Sequence, residues 1–295
     1  MLREYAIDPT VVTSDINILQ RFYSEFGAEN GRVIAEVPLR WFQSFKNEIN
    51  KLGLKPIEKT RYLEKLSRKM KTSLISRGDR QLAEGESWIS HVVTIHSREQ
   101  FYAILSDNDD IDRQIYNYLR MIEFTPTHWD IAHSISVNPS ADDIVNTIQT
   151  SINLSTQFIF IDPYFNIIED RFRSPFFKFI TKIKNNRART NRIQLHLCEQ
   201  DGMRRKEIER SMNNHLVPFL RDGFAVEVHI WPNQYIHDRF ILTNKVGYSY
   251  GHGISTGNNI NINITRLSED LRETERRRFC DYTQRLGEPM IFTSI

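Results

Sequence analysis

His237 and Arg239 stand two residues apart in Ile236-His237-Asp238-Arg239-Phe240-Ile241-Leu242-Thr243-Asn244, at the head of an apolar run that ends in a turn. Successive side chains of a strand point to opposite faces, so a strand here would send His237 and Arg239 one way and Asp238 the other. An imidazole beside a guanidinium suits a phosphodiester. One group attacks phosphorus while the other holds the non-bridging oxygens.

Attack by one imidazole requires a second proton-transfer group for the leaving oxygen, and the ordinary histidine pKa of about 6.5 suits that role. His252, in Gly251-His252-Gly253, is the internal candidate, because flanking glycines let a backbone approach a ligand closely. A surface turn is the competing reading. His196 and His229 alternate with apolar residues in strand-like runs, which fits a half-buried structural role. His91, His96, His128 and His133 show no zinc spacing, and Cys198 and Cys280 are too few for a cysteine-built zinc site or a disulfide framework. No metal and no cofactor is expected.

These residues need elements to hold them, and the chain changes pattern near residue 135. Before it the periodicities are mainly helical: 14–27, with Ser14 as cap and Gly27 as stop, a helix ending near Leu52, then 57–76, and about 110–122 after Asp107-Asn108-Asp109-Asp110. That acidic run lacks the glycine and distal glutamate of a calcium loop and reads as a helix cap. Trp88–His96, with Val92, Val93 and Ile95, reads as a strand.

From 135 onward strands and helices alternate, the pattern of an α/β layer fold. Helices are expected over Asp142–Leu154, Phe176–Lys184 and Arg204–Leu220, and beyond Ile264 as far as Gln284. Strands are expected over Gln157–Ile161, Arg192–Glu199 and Phe224–Trp231, with Asp238–Thr243 and Gly247–Tyr250 forming a hairpin. The expected organisation is a mainly helical N-terminal domain, 1–134, and an α/β domain, 135–295. Functional groups of such sheets gather beyond the carboxyl ends of strands, where Asp162, Glu199, Trp231 and Gly251 fall.

Each has a plainer alternative. Asp162 before Pro163 can form an Asx turn, and Glu199 and Asp201 can be exposed loop acids. Tyr164, Phe165, Trp231 and Tyr235 can stack on nucleobases or simply pack.

The order DPYF, a strand ending LCE, a strand ending IWP, then IHDRFILTN and GYSYGHG resembles one half-domain of the phospholipase D superfamily, over about 135–295. That family carries His-x-Lys, four residues, Asp, then a Gly-Ser-x-Asn turn. The resemblance makes His237 the nucleophile, Arg239 the phosphate holder in place of lysine, and Asn244 the stand-in for the aspartate. Gly251, His252 and Gly253 fall at the Gly-Ser position. It also moves Asp162 and Glu199 towards supporting roles. The sequence is closer to divergent His-Asp-Arg domains, found at the C-termini of microtubule-interacting and trafficking proteins and in bacterial proteins, of which the former are regarded as non-catalytic membrane-binding modules.

The resemblance implies a mixed sheet flanked by helices and a metal-independent phosphodiesterase, with nuclease action on DNA or RNA as the leading reading. A role beside bacterial defence genes would follow by analogy with the family. The alternative is an inactive module binding nucleic acid, anionic lipid or a protein partner. A single motif per chain implies a homodimer or a second histidine from the same chain.

Charge distribution bears on the partner more than the formal net charge of +2. Between Lys51 and Arg80 ten Lys or Arg oppose Glu58, Glu64 and Asp79, and further basic clusters fall at Arg171 to Arg192, Arg204-Arg205-Lys206 and Arg276-Arg277-Arg278. Together they favour an anionic polymer, though each alone reads as a solvated helix face. The N-terminal domain is a candidate site for a protein partner. A membrane surface would also fit but is less favoured, because no lipidation signal or strongly amphipathic Trp/Leu-faced helix supports it. A cytoplasmic location is expected, and the sequons at Asn153 and Asn263 are read as accidental.

Overall fold

A computed structural model describes residues 1–294 other than 78–79, 83–84, 125–128, 187–189, 258–259 and 281–283. The chain is mixed α/β and divides into two compact units, Leu2–Ala132 and His133–Ile295, the latter joined by Met1.

In the first unit, β1 (Arg3–Ile7), β2 (Arg32–Ala35), β3 (Leu74–Ile75), β4 (Ala103–Ser106) and β5 (Ile115–Asn117) form a parallel sheet in the order β3-β2-β1-β4-β5. Helices supply most of the regular residues, but this sheet forms the centre, which the sequence reading did not anticipate. The reason lies in burial. Every residue of β2 and β4 is buried, so the alternation that normally marks a strand is missing. Tyr5, Ile7, Ile34 and Leu105 pack on one face against Phe22, Trp41 and Phe45, while Ala6, Ala35 and Ile104 meet Val92 and Ile95 on the other.

Two expected elements are corrected here. Trp88–Glu99 is a helix, not a strand. Ser87 caps it by accepting from Ser90 N at 3.3 Å, and His91, Val92 and Ile95 share its buried side. The helix expected over 110–122 is instead a short 3₁₀ turn (Ile111–Arg113), then β5, then a helix over Tyr118–Phe124. Of the acids before it, Asp110 caps only the 3₁₀ turn, accepting from Arg113 N, whereas at the helix itself Asn117 Oδ1 accepts from Arg120 N at 3.1 Å. The helix Ile16–Glu25 is capped by Asp15 rather than Ser14. Helices over Trp41–Lys51 and Pro56–Ser73 occur where periodicity places them.

The second unit is built on β6 (Ser134–Val137), β7 (Phe158–Ile161), β8 (Arg192–Cys198), β9 (Ala225–Trp231), β10 (Phe240–Thr243), β11 (Gly247–Tyr250), β12 (Ile262–Arg266) and β13 (Met290–Thr293). Their order is β13-β9-β8-β7-β10-β11-β12-β6. The pairs β7–β8 and β8–β9 are parallel, and the remaining pairs are antiparallel. Phe160 lays one face of the sheet against Phe176 and Phe179 of the helix Asp170–Lys184. On the other face Ile159, Ile161, Trp231, Phe240 and Leu242 pack with Phe279 of the helix Glu269–Cys280. That last helix is shorter than the stretch expected through Gln284, of which 281–283 lie outside the described residues. No described helix is long and apolar enough to cross a membrane.

Candidate functional site

The antiparallel pairing of β10 with β7 sets the site. Phe240 lies opposite Ile161, so Arg239, entering β10, and Asp162, leaving β7, meet one step further out. They do so at the carboxyl edge of the parallel strands, where backbone groups and side chains emerge from the sheet. Arg239 Nε lies 3.7 Å from Asp162 Oδ1, and Arg239 Nη1 donates to Gly251 O at 3.0 Å. The remaining nitrogen, Nη2, has no partner among the described residues. The guanidinium also faces the Tyr164 ring, 4.8 Å from its centroid, a distance at which a cation is attracted to the ring quadrupole.

Asp162 is only 4% exposed. Its Oδ1 accepts from Tyr164 N at 3.1 Å, closing the Asx turn that Asp-Pro-Tyr suggests. Its Oδ2 is buried without a hydrogen-bond partner among the described residues. Burial pushes the carboxyl up to about 6, against the backbone N–H groups of Tyr164 and Ile254 and the charges of Arg239 and Arg171, which pull it down. Phe160, Leu195, Ile241, Tyr250 and Ile254 supply the apolar lining responsible. The turn after β11 closes over this pair. Gly253 has φ +76, and a Cβ there would lie 2.4 Å from Asp162 Oδ2 and 2.9 Å from Arg239 Cδ. Glycine at 253 is thus required by both conformation and space.

His237 does not sit in the strand, which begins at Phe240. It lies on the loop leading into β10, exposed, with no hydrogen bond or ion pair to a described residue. The alternation that would align it with Arg239 therefore does not apply. His252 is likewise exposed, on the turn next to the carbonyl that holds Arg239. One guanidinium thus joins the two histidine-bearing segments.

Other expected residues fall elsewhere. Asn244 is at the far end of β10, where its Oδ1 accepts from Thr156 N at 2.9 Å and Gln157 N at 3.3 Å. It anchors the start of β7 and does not reach the site. Glu199 Oε1 accepts from Arg205 N at 3.0 Å and caps the following helix, Arg205–His215. Trp231, 1% exposed, packs on the opposite face of the sheet, so it offers no stacking surface. Its Nε1 donates to His196 Nδ1 at 3.0 Å.

His196 stacks on His229, ring centroids 4.4 Å apart. Burial first, then His229 and Arg285, holds His196 well below the ordinary range, and burial with Arg285 and Arg192 brings His229 down to about 3. Both are neutral core histidines. His91 contacts Glu86 and Arg80 O, and His96 accepts from Phe101 N, whereas His128 lies outside the described residues. Among the described residues no group of three histidines, cysteines or carboxylates is placed to hold a metal.

Sequence reasoning passed over Tyr250 and placed Arg171 in a basic cluster but not beside Asp162. Arg171 contributes charge at Asp162, and Gly257 packs so closely that a Cβ there would lie 2.5 Å from Arg171 Cδ. Tyr250 lines the Asp162 crevice, with its hydroxyl buried and unpartnered among the described residues. The glycines at 253 and 257 were the available signal, since each marks a close approach.

The basic clusters differ in how far they are neutralised. Arg171 pairs with Glu169, Arg173 with Asp170, Lys178 with Asp142, Lys184 with Asp222, Arg276 with Glu273 and Arg278 with Glu275. Arg205 donates to Leu286 O and Glu288 O. On the helix Pro56–Ser73, by contrast, exposed Arg61, Lys65 and Arg68 carry no ion pair with a described residue.

No protein-family model matches this chain, and no curated protein matches it in sequence. Among solved structures it is similar to TrmBL2, described as an archaeal chromatin protein with a novel mode of DNA binding, at 9% identity and a TM-score of 0.32, over 84% of this chain and 82% of that one. No functional inference follows from a likeness at this level.

Proposed function

We propose that the second unit is a phospholipase D-like site that binds a phosphodiester of nucleic acid at Arg239 and cleaves it with His237, without a metal. The observation that carries this reading is the hydrogen bond from Arg239 Nη1 to Gly251 O, 3.0 Å. It ties the segment bearing His237 to the turn bearing His252 through a guanidinium suited to a phosphate. Arginine keeps its charge at every physiological pH and can offer a fork of donors to phosphate oxygens.

In this mechanism a neutral His237 nitrogen attacks phosphorus and the bond to the leaving oxygen breaks, that oxygen taking a proton from His252. His252, now neutral, takes a proton from water. The water oxygen displaces His237 from phosphorus, releasing a phosphomonoester and restoring both imidazoles. Arg239 offsets charge on the non-bridging oxygens in both steps. A single chain holds both histidines in this scheme, so it does not require a dimer.

The test is incubation of the full chain with end-labelled single- and double-stranded oligonucleotides in EDTA, beside His237→Ala, His252→Ala and Arg239→Ala. Cleavage that survives EDTA and is lost in His237→Ala is expected, with both formation and hydrolysis of the phosphohistidine slowed in His252→Ala. Intact substrate with the wild-type chain, or undiminished cleavage by His237→Ala, overturns the enzymatic reading. A binding module without turnover is the second reading. It is favoured by one observation: no described side chain or carbonyl orients His237.

A further inference from the structure

Tyr164 is the exposed aromatic at this site. It is 51% exposed while its neighbour in sequence, Phe165, is 3% exposed and packs against Phe172 and Phe176. Large apolar side chains left this open are few among the described residues, and Tyr164 is distinguished by what holds it. Its N–H donates to the buried Asp162, fixing the backbone, and the Arg239 guanidinium lies 4.8 Å from its ring centroid. Asp162 in turn steadies Arg239 at 3.7 Å. The phosphate-binding cation and the open ring are thus parts of one braced unit.

We infer that Tyr164 is a stacking platform for a nucleobase next to the phosphate held by Arg239, and that the substrate is therefore single-stranded nucleic acid. This deepens the reading of the Arg239 site given above and rests on it. A base and its own phosphate are joined through one sugar, so a strand with a phosphate on Arg239 can lay the adjoining base on the ring beside it. In a duplex the bases are stacked on one another and their faces are closed, so Tyr164 would gain nothing there. An aromatic platform serves any base, because every base has a π-face. The site is accordingly expected to select single strands without reading sequence.

The experiment compares binding of the full-length chain, by fluorescence anisotropy in EDTA with His237→Ala present throughout to prevent turnover, to three probes. They are a labelled oligo-dT, an oligomer of equal length and charge with abasic sugars, and a blunt duplex. The expected result is oligo-dT binding about tenfold tighter than the abasic strand, the scale of one stacked base. In Tyr164→Ala that ratio should fall to near one, and in Tyr164→Trp it should return. Equal binding of oligo-dT and the abasic strand, a ratio that survives Tyr164→Ala, or tighter binding of the duplex each overturns the proposal.

Arg239→Ala separates this failure from that of the underlying site. If it weakens oligo-dT and abasic strand alike while Tyr164→Ala leaves their ratio untouched, only the platform fails. If Arg239→Ala changes neither, or no probe binds the parent chain, both readings fail. Circular dichroism melts of each variant establish that it is folded.

Discussion

Arg239 Nε stands 3.7 Å from Asp162 Oδ1, and the two differ sharply in burial: the arginine side chain is 26% exposed and the aspartate 5%. The pair is therefore asymmetric. Arg239 reaches solvent and remains able to meet an anion, whereas Asp162 is fixed beneath it by the turn at Gly253 and by its hydrogen bond from Tyr164 N. A carboxylate so placed steadies the guanidinium but also sets a negative charge under any phosphate that binds. Its partial desolvation limits that conflict, because the proton is held more readily than on a free aspartate.

The first prediction concerns Asp162 and pH. Burial raises its carboxyl from 3.8 to about 6, so between those values the folded state holds a proton that the unfolded chain releases. Stability from this group is present below the lower value and is lost as pH rises through the upper one. Asp162→Asn cannot ionise. Its stability relative to the parent chain should therefore climb by about 1–3 kcal/mol between pH 4 and pH 7.5, read from urea midpoints across that range. Parallel curves for the two proteins would show that Asp162 does not carry the shifted proton.

Gly251 and Gly253 make a controlled pair. A Cβ at 253 would strike Asp162 Oδ2 at 2.4 Å from a left-handed backbone, while at 251 the nearest atom is Asn263 O at 4.0 Å. Gly253→Ala should cost about 2 kcal/mol or more and weaken inorganic phosphate binding, since the turn must move away from Arg239. Gly251→Ala keeps the carbonyl that accepts from Arg239 and should cost less than about 1 kcal/mol. Equal stability and equal phosphate affinity in the two variants would contradict the close packing of this turn on the ion pair.

The same turn shows what sequence could and could not reveal. The fully apolar run Phe158–Ile161 and the longer Arg192–Cys198 and Ala225–Trp231 declare themselves as buried strands, and the Asn244-Lys245 turn between β10 and β11 declares a hairpin. What places Arg239 beside Asp162 is the antiparallel pairing of β10 with β7, a long-range register that local pattern does not contain. Parity misplaced Trp231: it ends a strand at the functional edge, but its side chain points to the face packed on Phe279. In the first unit the β-branched run around Val92 suggested a strand, whereas the Ser87 cap and the helical spacing of His91, Val92 and Ile95 decide the structure. Short parallel strands such as Ala103–Ser106 gave no alternation to read.

A third prediction comes from the buried charges of the first unit. Arg80 is 0% exposed and contacts both Glu4, at 3.2 Å, and Glu99, at 2.6 Å, while Arg77 joins the same two carboxylates. Burial alone would raise Glu99, but Arg80 and Arg77 outweigh it and hold the carboxyl below its ordinary value. This pairing contributes stability that is complete above the ordinary carboxylate range and lost as pH falls through the lowered value. Arg80→Met leaves Glu4 and Glu99 buried with one partner fewer. It should destabilise the first unit by about 3–5 kcal/mol at pH 7 and less near pH 3. Hydrogen exchange resolved by unit measures this, and a loss equal at both pH values would exclude the charge-pair account.

The last prediction concerns the helix Pro56–Ser73, whose Arg61, Lys65 and Arg68 are exposed without an ion pair to a described residue. Spaced four and three residues apart, they lie along one side of the helix. Most of the other basic clusters are matched by nearby carboxylates, so this row has the most charge to give to a polyanion. If nucleic acid lies along it, each phosphate neutralised releases counterions, and the logarithm of the binding constant falls with the logarithm of salt concentration by about 0.7 for each contact on a single strand. Changing all three residues to Gln should lower the magnitude of that slope by about 2 and weaken oligo-dT and abasic strands by the same factor, because phosphates carry no base identity. Tyr164→Ala should leave the slope unchanged while altering the ratio between those strands. A slope unmoved by the triple substitution would mean that the helix remains solvated when the strand binds, and that the salt dependence originates at other cations.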